Sequence, residues 1–159
     1  MGRMDSLIKD NISEDGTILN LREKYIGMRG AMELAARKEL ETVKELILPS
    51  NQLEDDGVEA LANSPYLYNL EIWNLNHNDI GDDGAIAIAQ STKLPKLNNL
   101  TMFGNAIGDI GAIAIAKSEI CKQFVKLDLY KNQFTNEGFR ALTESEYLKN
   151  CEELEIYRD

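Results

Sequence analysis

The sequence predicts a curved, right-handed α/β solenoid, with a parallel sheet on its concave side and helices on its convex side. Three observations predict it. Asn51, Asn78, Asn105 and Asn132 stand 27 residues apart, and the same step reaches Lys24 in one direction and Asp159 in the other. Apolar residues recur at fixed distances from these markers, as a repeat architecture requires. Within each frame the apolar spacing changes from alternate positions, suited to a strand, to i, i+3, i+4, suited to a helix. The frame covers residues 16–159, and residues 1–15 are expected to form an N-terminal cap or partial repeat.

Each frame opens on a strand. Five residues before the marker come Leu19, Leu46, Trp73, Leu100, Leu127 and Leu154; three before it come Leu21, Leu48, Leu75, Met102, Leu129 and Ile156. Polar residues alternate with them, so both sets point to one face. Trp73 takes a slot that is Leu elsewhere and is expected in the core. After the marker, Ile26, Leu53, Ile80, Ile107 and Phe134 precede a helix whose inner face is exemplified by Ala85, Ile88 and Ala89. Asp55, Asp82 and Asp109 stand where an N-cap for that helix is wanted. Gly30, Gly57, Gly84, Gly111 and Gly138 follow, for a tight turn or for close packing of helix on strand. Ser64, Ser91, Ser118 and Ser145 mark the return of the chain. A single unit cannot bury its apolar face, whereas stacked units share one core. Strands joined through helices run parallel, and six of them at roughly 4.8 Å spacing span about 25 Å.

The pattern Leu-x-x-Leu-x-Leu-x-x-Asn-x-Ile/Leu, clearest from Val43 to Asn132, resembles the leucine-rich repeat. Its period and helical second half are similar to the ribonuclease-inhibitor-like subclass. The resemblance implies a non-enzymatic, intracellular scaffold that grips a protein on its concave face. It also implies that Asn51, Asn78, Asn105 and Asn132 are buried and bond backbone groups of the turn, as an amide with donors and an acceptor can.

Composition narrows the partner. The 159 residues carry a net charge of −10 without a Lys/Arg cluster, which argues against nucleic acid or an anionic membrane. The N-terminus lacks the apolar stretch of a signal peptide; no segment has the length of a membrane span. Cys121 and Cys151 occupy apolar slots and do not form a disulfide framework, so a cytoplasmic location is expected. At the other end the sixth strand is expected to offer an open edge. A shortened chain, blunting by Glu152, Glu153, Glu155 and Arg158, or weak self-association through that edge would each account for it, and blunting is favoured.

Little catalytic chemistry is written here. His77 lacks a nucleophile or carboxylate partner and is expected in solvent. The stretch from Asn76 begins like a calcium loop, but Ile80 and Ala87 stand where oxygen ligands belong. No phosphate loop or zinc spacing appears, and no cofactor is expected.

What remains is the concave face. Residues four before the marker include Thr101, Asp128 and Glu155, and residues two before it include Asn76, Phe103, Tyr130 and Tyr157. Three aromatics in successive repeats, with no core role, have the composition of an interaction hot spot; Lys126, Asp128, Lys131, Glu155 and Arg158 would supply a polar rim. The expected function is a scaffold binding a protein or peptide there. The alternative is a non-catalytic regulatory or substrate-recruiting module of a larger assembly, of GTPase-activating or ubiquitin-ligase type.

Overall fold

The structure is a computed structural model that describes residues 2–157. Arg158, a predicted rim charge, and Asp159, the last marker position, lie outside the described residues. A helix α1 (Arg3–Asn11) is followed by five strand–helix units: β1 (Ile18–Asn20) and α2 (Gly27–Ala35), β2 (Glu45–Ile47) and α3 (Glu54–Ala62), β3 (Ile72–Asn74) and α4 (Asp82–Ala89), β4 (Asn99–Thr101) and α5 (Asp109–Ala116), β5 (Lys126–Asp128) and α6 (Asn136–Thr143). A last strand, β6 (Glu153–Glu155), closes the series. Strand order follows chain order in one six-stranded sheet, and every pairing is parallel. This is a leucine-rich-repeat solenoid, with the sheet concave and the helices convex.

The register places Leu19, Leu46, Trp73, Leu100, Leu127 and Leu154 opposite one another. The first five are fully buried, and Leu154 at the end of the stack is half-buried. Pairing continues beyond the short strands: the N–H groups of Leu21, Leu48, Leu75, Met102 and Leu129 each donate to a carbonyl of the next repeat. At the other end of the stack, Met4 and Ile8 on α1 bury into the core, and Ile12 bridges antiparallel to Leu19.

The helix starts depart from expectation. Asp55, Asp82 and Asp109 do not cap their own helices; each lies within the first two residues of one. Their Oδ1 atoms accept from the following repeat. Asp55 takes the N–H groups of Gly81 (2.7 Å) and Gly84 (2.9 Å), and Asp82 those of Gly108 and Gly111 (both 2.8 Å). Asp109 takes those of Thr135 (2.7 Å) and Gly138 (2.8 Å). The free N–H groups of one helix start are thus satisfied by the carboxylate of its neighbour.

This contact also explains Gly84, Gly111 and Gly138, whose role is neither a tight turn nor packing on a strand. A Cβ on Gly111 would lie 2.7 Å from Asp82 Oδ1 and 3.0 Å from the Ala85 Cβ. Glycine is required because adjacent helices meet there. Asp82→Ala, which strips the cap from α5, is expected to lower the unfolding free energy by about 1–2 kcal/mol. The exposed Asp83→Ala serves as a control near zero, with both read by urea denaturation.

The serines also act across repeats. Ser64 and Ser91 hydroxyls donate to the carbonyls of Ala35 (2.6 Å) and Ala62 (2.5 Å), and Ser118 and Ser145 donate to those of Ala89 and Ala116. They thereby satisfy carbonyls at the end of the preceding helix. The first repeat has Arg37 at this position instead, and its guanidinium pairs with Asp5 of α1 and with Glu39 at 2.8 Å.

The hydrogen bond from Arg37, aided by the Gly2 N–H, holds the Asp5 carboxyl below the usual carboxylate range. A depressed folded pKa contributes stability that is present above the unfolded value and lost as pH falls through the folded value. Hydrogen exchange in α1 is therefore expected to accelerate relative to α4 as the pH falls below about 4, the ordinary value of an unfolded aspartate.

Candidate functional site

The turn after each strand sets the geometry of the concave rim. The residue before each marker is left-handed in five successive frames: Glu23 (φ 54°), Ser50 (58°), His77 (55°), Gly104 (69°) and Lys131 (55°). The marker asparagine holds this turn. Asn51 Oδ1 accepts from the N–H groups of Lys24 (3.1 Å) and Ile26 (3.3 Å), while its Nδ2 donates to the carbonyls of Leu21 (2.7 Å) and Leu48 (3.0 Å). Asn105 does the same for Asn78 and Ile80, and for Leu75 and Met102. Each asparagine therefore ties its own turn to the turn before it. Asn51, Asn78 and Asn105 are buried. Asn132 is only half-buried, a correction to the expected burial, because just one strand lies beyond it.

On the face these turns support, Phe103 and Tyr130 are half-buried, their ring centroids 5.6 Å apart and tilted by 38°. Tyr157 is 67% exposed. Lys131 places its Nζ 5.9 Å from the Phe103 centroid and 5.8 Å from that of Tyr130, within cation–π range. His77 extends the row, meeting Phe103 edge-on at 5.0 Å. Its exposure matches expectation, but its place in the aromatic row was missed. A Cβ on Gly104 would come within 2.4 Å of His77 Nδ1, so the glycine is what lets the ring lie there.

Other predicted contact residues hold the rings in place. Asn76 Oδ1 accepts from the Phe103 N–H at 2.9 Å, and Asp128 Oδ1 from the Tyr130 N–H at 2.9 Å. Asn20 and Asn74 make the equivalent turn bond, a local use of short polar side chains. The Thr101 hydroxyl is buried without a hydrogen-bond partner among the described residues, so it is set back from the face on which it was expected to offer contacts. Glu155 is exposed on β6, and Lys126 pairs with Glu153 at 3.1 Å.

Burial pushes the Cys121 thiol up to about 12, which removes the thiolate needed for reactivity. Cys151 is half-buried and its pKa is likewise raised, chiefly by burial; both cysteines are free. Among the described residues no group of three or more His, Cys, Asp or Glu is placed to hold a metal ion. None of the helices described is long and apolar enough to cross a membrane.

Comparison with known proteins agrees with this geometry. A family model described as "Leucine Rich repeat" matches residues 39–62, 68–89 and 93–116, three consecutive repeats. No curated protein matches the chain. Among solved structures, Leiomodin-1 Actin-Binding Site 2 superposes with a TM-score of 0.66 at 18% identity, covering 92% of this chain and 86% of that one. At that identity the likeness is one of fold. The strand column, the asparagine-held turns and the three matched repeats agree: residues 39–116 carry leucine-rich repeats, and the chain folds as a leucine-rich-repeat solenoid.

Proposed function

We propose that this chain is a non-catalytic, protein-binding scaffold of the ribonuclease-inhibitor-like subclass, recognising a protein or peptide on the concave face of its last three repeats. One observation carries this: Phe103, Tyr130 and Tyr157 stand two residues past the ends of the consecutive strands β4, β5 and β6, outside the buried core. Ring faces left to solvent at the strand ends supply large contact area at low entropic cost, the usual composition of a binding hot spot. The solved neighbour is named for actin binding, which accords with a protein partner for this fold. Free cysteines, one of them deeply buried, suit the reducing cytoplasm.

The triple substitution Phe103→Ala, Tyr130→Ala, Tyr157→Ala tests the site. None of the three is among the buried core residues, so the far-ultraviolet circular dichroism is expected to stay unchanged. Affinity capture from native lysate should lose the proteins retained by the wild type. Undiminished capture by a folded triple variant would remove the site from this face.

A further inference from the structure

Resting on that docking face, we infer that its occupant is a cationic protein segment, extended across the repeats, whose Arg or Lys side chains lie over the Phe103, Tyr130 and Tyr157 rings and against Asp128, Glu153 and Glu155. The protein's own lysines already show the chemistry. Lys131 lies within 6 Å of two ring centroids, so these faces accept an ammonium group. Lys126 sits 3.1 Å from Glu153. The hydrogen bond to Glu153, and then the charges of Asp128 and Glu155, stabilise its ammonium form.

That leaves three carboxylates on β5 and β6 with Lys126 as the one cation on those two strands. Aromatic faces alone would accept a neutral segment as readily; the surplus of negative charge among them selects a positive one.

The surface upstream continues the same sign. Two residues from His77, Asp79 joins Glu54, Asp55, Asp56 and Asp83 around an open pocket of about 380 Å³. Among the described residues none of these five is ion-paired to a Lys or Arg. The side of the molecule that adjoins the His77 turn therefore carries the same negative sign. The whole chain, at −10, draws a cationic partner toward either region.

Calorimetric titration with synthetic Arg-Ser, Gln-Ser and Glu-Ser repeat peptides of equal length tests the inference. The folded wild type should bind the Arg-Ser peptide, progressively more weakly as salt is raised, and should not bind the Glu-Ser peptide. Asp128→Asn with Glu155→Gln should weaken Arg-Ser binding about tenfold, through loss of two charges near the bound cations. Asparagine preserves the turn bond, since Asn20 and Asn74 make the same one, so this variant keeps the fold. Absence of Arg-Ser binding, equal binding of the Gln-Ser peptide, or indifference to the double substitution would each overturn a cationic partner. If, in those cases, the aromatic triple variant still loses its captured proteins, the docking face stands and only the class of partner falls. If capture survives that variant, the face falls with it.

Discussion

Truncating Trp73 to Ala is expected to lower the unfolding free energy by about 3–5 kcal/mol. Trp73 is fully buried and lies between Leu46 and Leu100 in the column that runs through the sheet. Its removal opens a cavity at the middle of the stack, where repeats on both sides limit collapse. In a quasi-one-dimensional fold the loss also weakens the interfaces to those repeats, so hydrogen exchange should accelerate in β2 and β4 as well as β3. Trp73→Leu is the informative companion. Its slot holds Leu in the other five frames, and the indole Nε1 is buried without a hydrogen-bond partner among the described residues. Leucine removes that orphaned donor while keeping part of the volume, so the loss should stay below about 2 kcal/mol. Urea denaturation of the three proteins checks the order.

The second large effect is expected at Asn78. Its Oδ1 accepts from the buried Asn51 N–H at 2.9 Å, and its Nδ2 donates to the carbonyls of Leu48 (2.8 Å) and Asn76 (3.2 Å). Leucine has similar bulk and no polar atom. The Leu48 carbonyl keeps a bond from Asn51 Nδ2, and that of Asn76 keeps the Ser50 N–H. The Asn51 N–H is left unpaired in the interior, and a buried amide without an acceptor is the heavier penalty. Asn78→Leu should therefore cost about 2–4 kcal/mol. The equivalent Asn132→Leu should cost less, because Asn132 is half-buried. Near-equal losses in the two variants would contradict an end-dependent ladder.

The solenoid was legible because its core is periodic. A side chain that returns every 27 residues to an apolar slot can be buried in every copy only if the copies stack. Periodicity also hid the capping pattern. In a perfect repeat, an aspartate bonded to its own helix and one bonded to the next helix leave the same sequence mark. The spacing of Asp82 therefore pointed to α4, whereas its acceptor atom serves α5. The glycines followed the same error, since Gly111 yields space to the helix of the preceding repeat.

The aromatic row on the concave face was readable from strand alternation. The place of His77 was not, because a left-handed backbone at the turn carries its ring sideways onto Phe103. Nor could alternation show that Asn76 and Asp128 hold neighbouring backbone. Those bonds depend on the bend just after the strand, beyond the point where alternation says where a side chain points.

Amide hydrogen exchange of the chain, with and without the protein captured by the wild type, tests most directly whether the rings mark where a partner sits. Slowed exchange on binding within 101–104 and 128–131, with the convex helices α4 and α5 unchanged, is the predicted result. Protection confined to those helices, with the strand ends exchanging as in the free chain, would contradict it.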